Sequence, residues 1–362
     1  MTSDRTNIRG VSSAGLPLSG GGSLRFVTLR GDGESPLPGH AELLLRGGTG
    51  NSLWAGPEVY GSSAPDLSGV PAAGHTLFLG TRTGAPFYRG MQACLVSGAR
   101  ARVIEARGSA VGVRWEDEFA EYALLGGLLP RDLRAGRYEQ TLDVFRRMEE
   151  ALRLAGMDFS HVVRTWFYND RLLDWYDEFN RARDAFFAGR GVFGGLVPAS
   201  TGIGSANRAG AALQARALGV RPKNGGVRVA EVPSPLQCPA QDYRSSFSRA
   251  VELEHPLFRQ LIVSGTASIA PGGETVHVNE IERQIGLSLD VIEAILESRG
   301  MGWKDVVRAV AYLKDESYEA CYRETARRRG LERLPCISVQ ADVCRGDLLF
   351  EMELDAAVVK AG

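Results

Sequence analysis

The sequence predicts an α+β protein made of two related halves, each a mixed sheet covered on one face by helices. The first observation behind this prediction is an internal repeat: residues 156–164 read Gly-Met-Asp-Phe-Ser-His-Val-Val-Arg and residues 300–308 read Gly-Met-Gly-Trp-Lys-Asp-Val-Val-Arg. The second is that an amphipathic helix precedes both copies and an apolar strand follows them. This order favours a sheet with helices on one face, and its recurrence indicates a duplicated fold.

The repeat also locates a difference between the two halves. Residues 198–220 can be aligned with the chain from residue 335 onward, which places Gln214 opposite Glu351. A carboxylate is therefore present at this position in the second half only. We expect the chemistry of the protein to lie there.

The composition excludes several classes of protein. The chain has 362 residues, with 42 basic and 43 acidic side chains and a formal net charge of −1. It therefore lacks the excess of positive charge that would attract nucleic acid or a membrane surface. No apolar run reaches the roughly 18 residues of a transmembrane helix, and the N-terminus lacks the apolar segment of a secretory signal. Five cysteines without a Cys-x-x-Cys pair, and five scattered histidines, predict a reduced cytoplasmic protein without disulfides or a metal site.

Shifts in composition predict the domain boundaries. Residues 1–23 are rich in Gly and Ser, and we expect them to be disordered. Residues 24–220 are the predicted first half with N-terminal additions, because short apolar runs broken by Gly, Pro and Ser precede its first clear helix. Residues 221–239, which contain Pro, Gly and Asn, are the predicted linker, and residues 240–362 are the second half.

Residue periodicity predicts the elements of the first half. Glu139–Ala155 is a predicted helix because its apolar residues, such as Phe145 and Met148, fall on one face. Gly156 follows this helix as a C-cap. The other predicted elements are strands near Ala101–Trp115 and Tyr122–Leu129, a strand at Val162–Tyr168, a helix at Leu172–Phe187 and a strand at Leu213–Val220.

The second half repeats this order, so that each half reads ββαβαββ or close to it. Ile281–Ser298 is its first predicted helix, and Gly300 is the corresponding cap. The other predicted elements are strands at Ser246–Glu252 and Gln260–Ile269, a strand at Val306–Leu313, a helix at Tyr318–Arg328 and strands at Ile337–Val343 and Leu348–Val359.

The second half resembles the RidA/YjgF family of enamine/imine deaminases over nearly its whole length. The matching segments are Ser248–Val251, Val263–Gly265, Gly300–Val307, Tyr312–Asp315 and Phe350–Glu353. The resemblance implies a RidA/YjgF-like (chorismate-mutase-like) fold, in a family that forms trimers with ligand sites between subunits. The family's deaminases carry an arginine soon after the proline that starts the penultimate strand, and neither half keeps it. A plain imine deaminase is therefore not predicted.

Roughly residues 75–362 resemble the chorismatases, two-halved relatives of that fold that make benzoate-type starter units for secondary metabolites. The segments that carry this resemblance are Arg164–Tyr168, Leu173–Asn180, Pro198–Gly204, Tyr243–Arg249 and Ala341–Arg345. The resemblance implies a cofactor-independent enzyme that cleaves the enol ether of chorismate and releases pyruvate. Nucleic acid and membrane partners are not expected, and the predicted assembly is a monomer or a trimer-like homo-oligomer.

Cleavage of an enol ether requires an acid that protonates the terminal methylene carbon and is itself protonated near neutral pH. A carboxyl group meets this requirement where burial raises its pKa. Glu351 lies among apolar residues of the last predicted strand. Glu353 shares its parity, so both side chains face the same side of the sheet, and the residue pattern does not separate them. The resemblance assigns the catalytic role to Glu351.

Cys344 is the second catalytic candidate. It lies on the predicted turn seven residues before Glu351, and Asn207 falls opposite it in the first half. The resemblance implies that a cysteine at this spacing directs the product toward 3-hydroxybenzoate, whereas a small buried filler is the alternative role. The predicted products are therefore pyruvate and 3-hydroxybenzoate. The alternatives are hydrolysis to 3,4-dihydroxycyclohexa-1,5-diene-carboxylate and, in another class, a non-catalytic RidA-like small-molecule binding protein.

Candidate substrate-binding residues complete the prediction. Arginine forks match the geometry of the two carboxylates of chorismate, whereas hydroxyl groups and an aromatic side chain suit its ring. The candidates are Arg164, Tyr168, Ser200, Thr201, Arg249, Arg323 and Arg345. Arg164 recurs as Arg308 in the repeat, which favours a structural role for it. A solvated, turn-forming or core position is the alternative for each of the others.

Overall fold

Three six-stranded sheets contain all the named strands of the described residues. The structure, a computed structural model, describes residues 5–8, 10–31, 51–61, 77–79 and 88–361. Four α-helices lie within these residues. None of the helices described is long and apolar enough to cross a membrane.

The first sheet is built from the N-terminal part of the chain. Its strands are β1 (Arg5–Ile8), β2 (Val11–Pro17), β3 (Ser23–Arg30), β4 (Ser52–Gly61), β5 (Leu77–Leu79) and β6 (Tyr88–Ser97), in the order β1-β2-β3-β6-β4-β5. The expected disorder of residues 1–23 is therefore wrong where β1 and β2 lie. Every second residue of β2 is buried, including Ala14 and Leu16, and this period of two defines a strand in spite of the Gly- and Ser-rich composition.

The second sheet and two helices form the first predicted half. Its elements are β7 (Arg102–Ala106), β8 (Ser109–Glu116), β9 (Ala120–Leu128), α1 (Arg137–Leu154), β10 (Val162–Asn169), α2 (Tyr176–Gly189), β11 (Ala199–Gly204) and β12 (Leu213–Pro222). The single strand predicted near Ala101–Trp115 is in fact the hairpin β7–β8. Its turn places Arg107 and Gly108 at φ values of 54° and 76°, so this Arg-Gly pair is the turn signal that the strand prediction overlooked.

The third sheet and two further helices form the second predicted half. Its elements are β13 (Arg228–Val232), β14 (Ala250–Glu254), β15 (Phe258–Ala267), α3 (Ile281–Ser298), β16 (Val306–Leu313), α4 (Glu319–Arg328), β17 (Cys336–Gln340) and β18 (Phe350–Val359). The predictions for α3 and β16 agree residue for residue. Strand β13 lies within the predicted linker 221–239 and pairs antiparallel with β14, so part of that segment extends the third sheet.

Both halves confirm the predicted fold class. Strands β10 and β11 pair in parallel, as do β16 and β17, and the remaining pairs of the two sheets are antiparallel. Apolar side chains of α1 and α2, such as Phe145 and Phe179, pack on Phe167 of the second sheet. The side chains of α3 and α4 form the equivalent core with the third sheet.

All three sheets share one strand order. When the six strands of a sheet are numbered along the chain, their order across the sheet is 1-2-3-6-4-5 in every case. The N-terminal additions to the first half therefore repeat the topology of the two halves as a third sheet. The sequence repeat does not reveal this third unit, because no copy of the Val-Val-Arg segment stands before residue 162.

The three sheets meet in a ring of three junctions. The edge strand β11 lies against β15, where Ser200 N donates a hydrogen bond to Ser264 Oγ at 2.9 Å. The edge strand β17 lies against β3 and β6, and there Gln92 Nε2 donates to the carbonyl of Ala309 at 2.8 Å. Strand β4 in turn lies against β8 and β9. One apolar core with residues from all three sheets fills the space between them.

Matching strand registers relate the three sheets residue by residue. A tyrosine occupies the same position in the fourth strand of each sheet: Tyr60, Tyr168 and Tyr312. The residues that pair with these tyrosines on the last strand are Gly90, Gln214 and Glu351. The register therefore supports the alignment of Gln214 with Glu351, and one of the three equivalent positions carries a carboxylate.

A buried carboxylate joins all three sheets at another point. Asp117 Oδ2, between β8 and β9, lies 2.9 Å from His255 Nε2 and accepts a hydrogen bond from Ser19 N at 3.3 Å. Burial opposes the ionisation of Asp117, but hydrogen bonds from His255 and from backbone N–H groups outweigh it and lower the pKa to about 2. The carboxylate therefore stabilises the fold at any pH above its ordinary pKa of 3.8.

We expect Asp117→Asn to lower the free energy of unfolding by about 3 kcal/mol at neutral pH, because it leaves a buried histidine without its charged partner. The difference from the wild type should shrink as the pH falls from 3.8 toward about 2, since protonation then weakens the same contact in the wild type. Urea denaturation followed by circular dichroism over this pH range measures both effects.

The matched control is Asp158→Asn, which changes a helix-capping carboxylate that is 65% exposed. Asparagine caps a helix about as well as aspartate, so the control should change the free energy of unfolding by less than ~0.5 kcal/mol. Equal losses in the two variants would contradict the proposed stabilisation by Asp117.

Candidate active site

A cavity of about 800 Å³ lies at the junction between the second and third sheets. One wall consists of α2, the residues just before it and β11, and the facing wall consists of residues 243–249, β15 and β18. The turn between β17 and β18 closes one end. The cavity is large enough for a small-molecule ligand. Of the predicted site residues, it brings together Ser200, Arg249, Cys344, Arg345 and Glu351.

Glu351 reaches this cavity from β18. The residue is 5% exposed, and Gly265 leaves room for its carboxyl group, because a β-carbon at position 265 would collide with Glu351 Oε1. Burial raises the pKa of Glu351 to about 8, and the charge of Glu353 adds to the rise, while Arg164 and Arg249 oppose it. The carboxyl group is therefore protonated at neutral pH and is able to donate a proton.

The neighbouring Glu353 has a different environment. Its Oε2 accepts a hydrogen bond from Arg164 Nη2 at 2.7 Å, and its Oε1 accepts bonds from Arg308 Nη2 at 2.7 Å and from Trp166 Nε1 at 3.0 Å. Burial opposes its ionisation, but the two arginines outweigh burial and lower the pKa of Glu353. Its contacts thus distinguish two glutamates that strand parity leaves equivalent: Glu353 is an ion-paired anion, whereas Glu351 is a protonated acid in the cavity.

Cys344 lines the cavity at the turn before β18. Burial raises the pKa of its thiol to about 12, and the charge of Glu351 adds to the rise. A hydrogen bond links the thiol to Tyr176 of α2, whose pKa is also raised by burial. Cys344 is therefore a neutral thiol at neutral pH, which makes it a weak hydrogen-bond donor and not a nucleophile.

Three arginines supply positive charge to the cavity wall. Arg249 is 4% exposed, its Nε donates to the Cys238 carbonyl at 3.0 Å, and its Nη2 has no acceptor among the described residues. Arg183 on α2 is 3% exposed, and its Nε also lacks an acceptor within the part of the chain described. Arg345 and Arg249 both lie 5.3 Å from the ring centre of Tyr243. Buried guanidinium groups with unused donors are suited to bind carboxylates.

The two predicted hydroxyl residues, Ser200 and Thr201, have different environments. Ser200 lines the cavity, and its Oγ accepts a hydrogen bond from Thr165 Oγ1 at 2.9 Å. Thr201 points the other way along the strand, where its Oγ1 accepts bonds from Gly265 N at 3.0 Å and from Arg164 Nη2 at 2.6 Å. Thr201 therefore holds the second and third sheets together behind the cavity.

Besides Thr201, three further predicted binding residues lie outside the cavity. Arg164 is 1% exposed and forms an ion pair with Glu353. This is the structural role that its recurrence in the repeat favours. Tyr168 is fully buried and its hydroxyl donates to Glu58 Oε1 at 3.1 Å. Arg323 on α4 has a side chain that is 71% exposed and lies at the junction between the third and first sheets. The sequence pattern does not place Tyr168 and Arg323 because it does not show which junction each strand or helix faces.

The cavity also contains functional candidates that the sequence prediction leaves out. Arg183 is the main one, and Tyr176 and Tyr243 are the others. A signal for Arg183 was present, because it stands four residues after Phe179 on the apolar side of α2. A charged residue in the buried stripe of a helix needs partners, and here Nη2 donates to Asn180 Oδ1 at 2.8 Å whereas Nε has no acceptor among the described residues.

The chain is similar to several known proteins. Residues 240–358 match the family model described as Endoribonuclease L-PSP. The chain is 29% identical over 261 residues to a 3-hydroxybenzoate synthase of Streptomyces hygroscopicus, covering 64% of this chain and 73% of that protein. It is 30% identical over 223 residues to a chorismatase of Streptomyces rapamycinicus, covering 54% of this chain and 64% of that protein.

A crystal structure of a chorismatase shares the fold. The match covers 95% of this chain and 99% of that one, with a TM-score of 0.66 and 19% sequence identity. The chain therefore shares the fold of that chorismatase, and its residues 240–358 match the L-PSP family model. Within that fold class it resembles the chorismatases, and the resemblance found in its sequence segments is confirmed.

We expect Glu353→Gln to bring the pKa of Glu351 below its value of about 8, because the variant removes a neighbouring negative charge. An NMR titration of protein labelled with ¹³C at the glutamate carboxyl groups measures this pKa without reference to activity. Glu254→Gln, at the partly exposed end of β14, is the matched control and should leave the pKa unchanged. If Glu353→Gln also leaves it unchanged, burial alone sets the acidity of Glu351.

Proposed function

We propose that this protein is a chorismatase, which cleaves the enol ether of chorismate to pyruvate and 3-hydroxybenzoate. The observation that carries the proposal is the carboxyl group of Glu351, which is buried beside arginines in a cavity and has a pKa of about 8. The two Streptomyces relatives support it, because one is a 3-hydroxybenzoate synthase and the other a chorismatase.

Glu351 is the general acid in this proposal. Its proton passes to the terminal methylene carbon of the enolpyruvyl group, which becomes a methyl group, and positive charge develops at the ether carbon as an oxocarbenium ion. The carboxylate that remains on Glu351 stabilises this cation in a cavity of low dielectric constant. The raised pKa matters because an ordinary glutamate would hold its proton in only a small fraction of molecules at neutral pH.

The two carboxylates of chorismate require two cationic contacts. We assign them to Arg249 and Arg183, which stand on opposite walls and both have buried nitrogens without an acceptor among the described residues. Arg345 adds charge at the closed end of the cavity, and Ser200 offers its hydroxyl to the ring substituents. Two opposed guanidinium groups would fix both ends of the substrate and so orient the methylene carbon toward Glu351.

Two fates of the oxocarbenium ion lead to different products. If the neighbouring ring hydroxyl displaces the pyruvyl oxygen at the ring carbon and gives its proton to the Glu351 carboxylate, pyruvate leaves and an epoxide forms. The epoxide then opens at the carbon that first carried the hydroxyl, Glu351 returns the proton to the oxygen, and loss of a ring proton to the Glu351 carboxylate gives 3-hydroxybenzoate. If water adds to the oxocarbenium carbon, collapse of the adduct gives pyruvate and 3,4-dihydroxycyclohexa-1,5-diene-carboxylate. We assign the choice to Cys344, because its thiol and Tyr176 occupy the wall next to Glu351 and limit the space for water.

Glu351→Gln should lower kcat for pyruvate release by about 10³, because an amide does not donate the required proton. In the wild type, the rate should fall as the pH rises through about 8, where the acid loses its proton. A coupled lactate dehydrogenase assay with chorismate measures both, and Glu254→Gln serves as the control with unchanged activity.

The possible results of this assay separate the candidate functions. Pyruvate release that persists at the wild-type rate in Glu351→Gln would exclude Glu351 as the acid. If the wild-type protein binds chorismate but releases no pyruvate at any protein concentration, a non-catalytic RidA-like binding protein becomes the better assignment.

Cys344→Ala should shift the ring product from 3-hydroxybenzoate toward the dihydroxydiene acid, because loss of the sulfur atom makes room for water beside Glu351. Chromatography of the ring products, with absorbance spectra to separate aromatic from diene acids, measures the ratio. Cys321→Ala on α4 is the control, since Cys321 lies outside the cavity. A product ratio that is the same in all three proteins would assign Cys344 the role of a filler.

A further inference from the structure

A second cavity lies at the junction between the third sheet and the first. Its volume is about 430 Å³, and its walls are α4, β17 and the neighbouring ends of β3 and β6. Arg323 reaches it from α4, Ser338 from β17, and Arg30 and Arg89 from the first sheet. Arg323, which the sequence assigned to substrate binding, thus lines a different cavity from Glu351.

The two cavities occupy equivalent places in the ring of sheets. At the first, α2 and β11 of one unit face β15 and β18 of the next. At the second, α4 and β17 face β3 and β6. Because the three sheets share one strand order, each of these four elements corresponds to its counterpart at the other junction. The second cavity is therefore a copy of the candidate active site in its architecture.

The second cavity has no counterpart of the catalytic acid. Glu351 pairs with Ala267 on the third strand of its sheet, and in the first sheet the same register pairs Gly90 with Arg30. A β-carbon at Gly90 would collide with the backbone carbonyl of Leu29 and lie 2.9 Å from Ile337 Cδ1. Glycine is therefore required here, and no acidic side chain can stand in the place of Glu351.

Arginine is the most frequent charged residue of this cavity. Four arginines line it, namely Arg30, Arg89, Arg323 and Arg327, against the two acidic residues Glu319 and Glu332. Arg89 is ion-paired with Glu316 and Arg327 with Glu324, and Arg30 Nη1 donates to the Glu332 carbonyl at 3.2 Å. Arg323 Nε donates to Glu319 Oε1 at 2.7 Å, and the same oxygen accepts a bond from Ser338 Oγ at 2.8 Å. Glu319 thus orients the Arg323 guanidinium group, whose two Nη nitrogens have no hydrogen-bond acceptor among the described residues and are available to a ligand.

Apolar side chains complete the lining. Tyr322, Leu331, Leu334 and Ile337 are each less than 9% exposed and lie beside the arginines. We propose that this second cavity binds a small aromatic carboxylate without transforming it. The arginines pair with the carboxylate and the apolar side chains contact the ring. This inference does not depend on the proposed function, because no catalytic group takes part in it.

Crystals of the full chain soaked with 4-bromobenzoate test the location of the site. The anomalous signal of bromine should appear in the second cavity, with the carboxylate toward Arg323 and Arg30. Bromine in the first cavity only, or in neither cavity, would overturn the proposal.

Isothermal titration with benzoate tests the affinity in solution, in an Arg249→Ala background that weakens the first cavity. Arg323→Ala and Arg30→Ala should each raise the Kd for benzoate at least about tenfold. Arg283→Ala, an exposed arginine on α3, is the matched control and should leave it unchanged. The proposal is overturned if both test variants bind benzoate as tightly as the Arg249→Ala background protein. It is also overturned if the ligand occupies the second cavity at crystal concentration only. Arg323 is largely exposed, so its replacement should preserve folding.

Discussion

The ion pairs of Glu353 are the interaction on which the arrangement of the three sheets depends. Its carboxylate binds Arg164 of the second sheet and Arg308 of the third, and Arg308 also reaches Glu58 of the first sheet at 3.2 Å. Buried charges are tolerated only where such partners are complete, and loss of one partner leaves an uncompensated charge. The anion thus links the third sheet to the second directly and to the first through Arg308, and these are the two junctions at which the cavities lie.

The same anion contributes to the chemistry of its neighbour. With a pKa of about 8 in the fold and an ordinary value of 4.5, Glu351 holds its proton more tightly in the folded state. Its contribution to stability is therefore present below pH 4.5 and is lost progressively as the pH rises toward 8. A site that keeps a protonated acid ready at neutral pH is thus less stable than the fold could otherwise be.

Placement of three related units in one chain permits the junctions to differ. A homotrimer of identical subunits repeats every site three times, because each interface is formed by the same residues. Here the equivalent positions hold Glu351, Gln214 and Gly90. The junction with the glutamate has the larger described cavity and the buried arginines Arg183 and Arg249, whereas the junction with the glycine has a smaller cavity rich in arginine.

The duplicated α+β halves, the limits of α3 and β16, and the contrast between Gln214 and Glu351 follow from the sequence alone, because periodicity and repeats are local properties of the chain. The different environments of Glu351 and Glu353 follow from the tertiary structure, since strand parity assigns a face but not the partners found on it. The tertiary structure also placed Arg183 at the site and Arg323 away from it. Which junction a helix faces depends on how three sheets close into a ring, and no local pattern in the sequence records that closure.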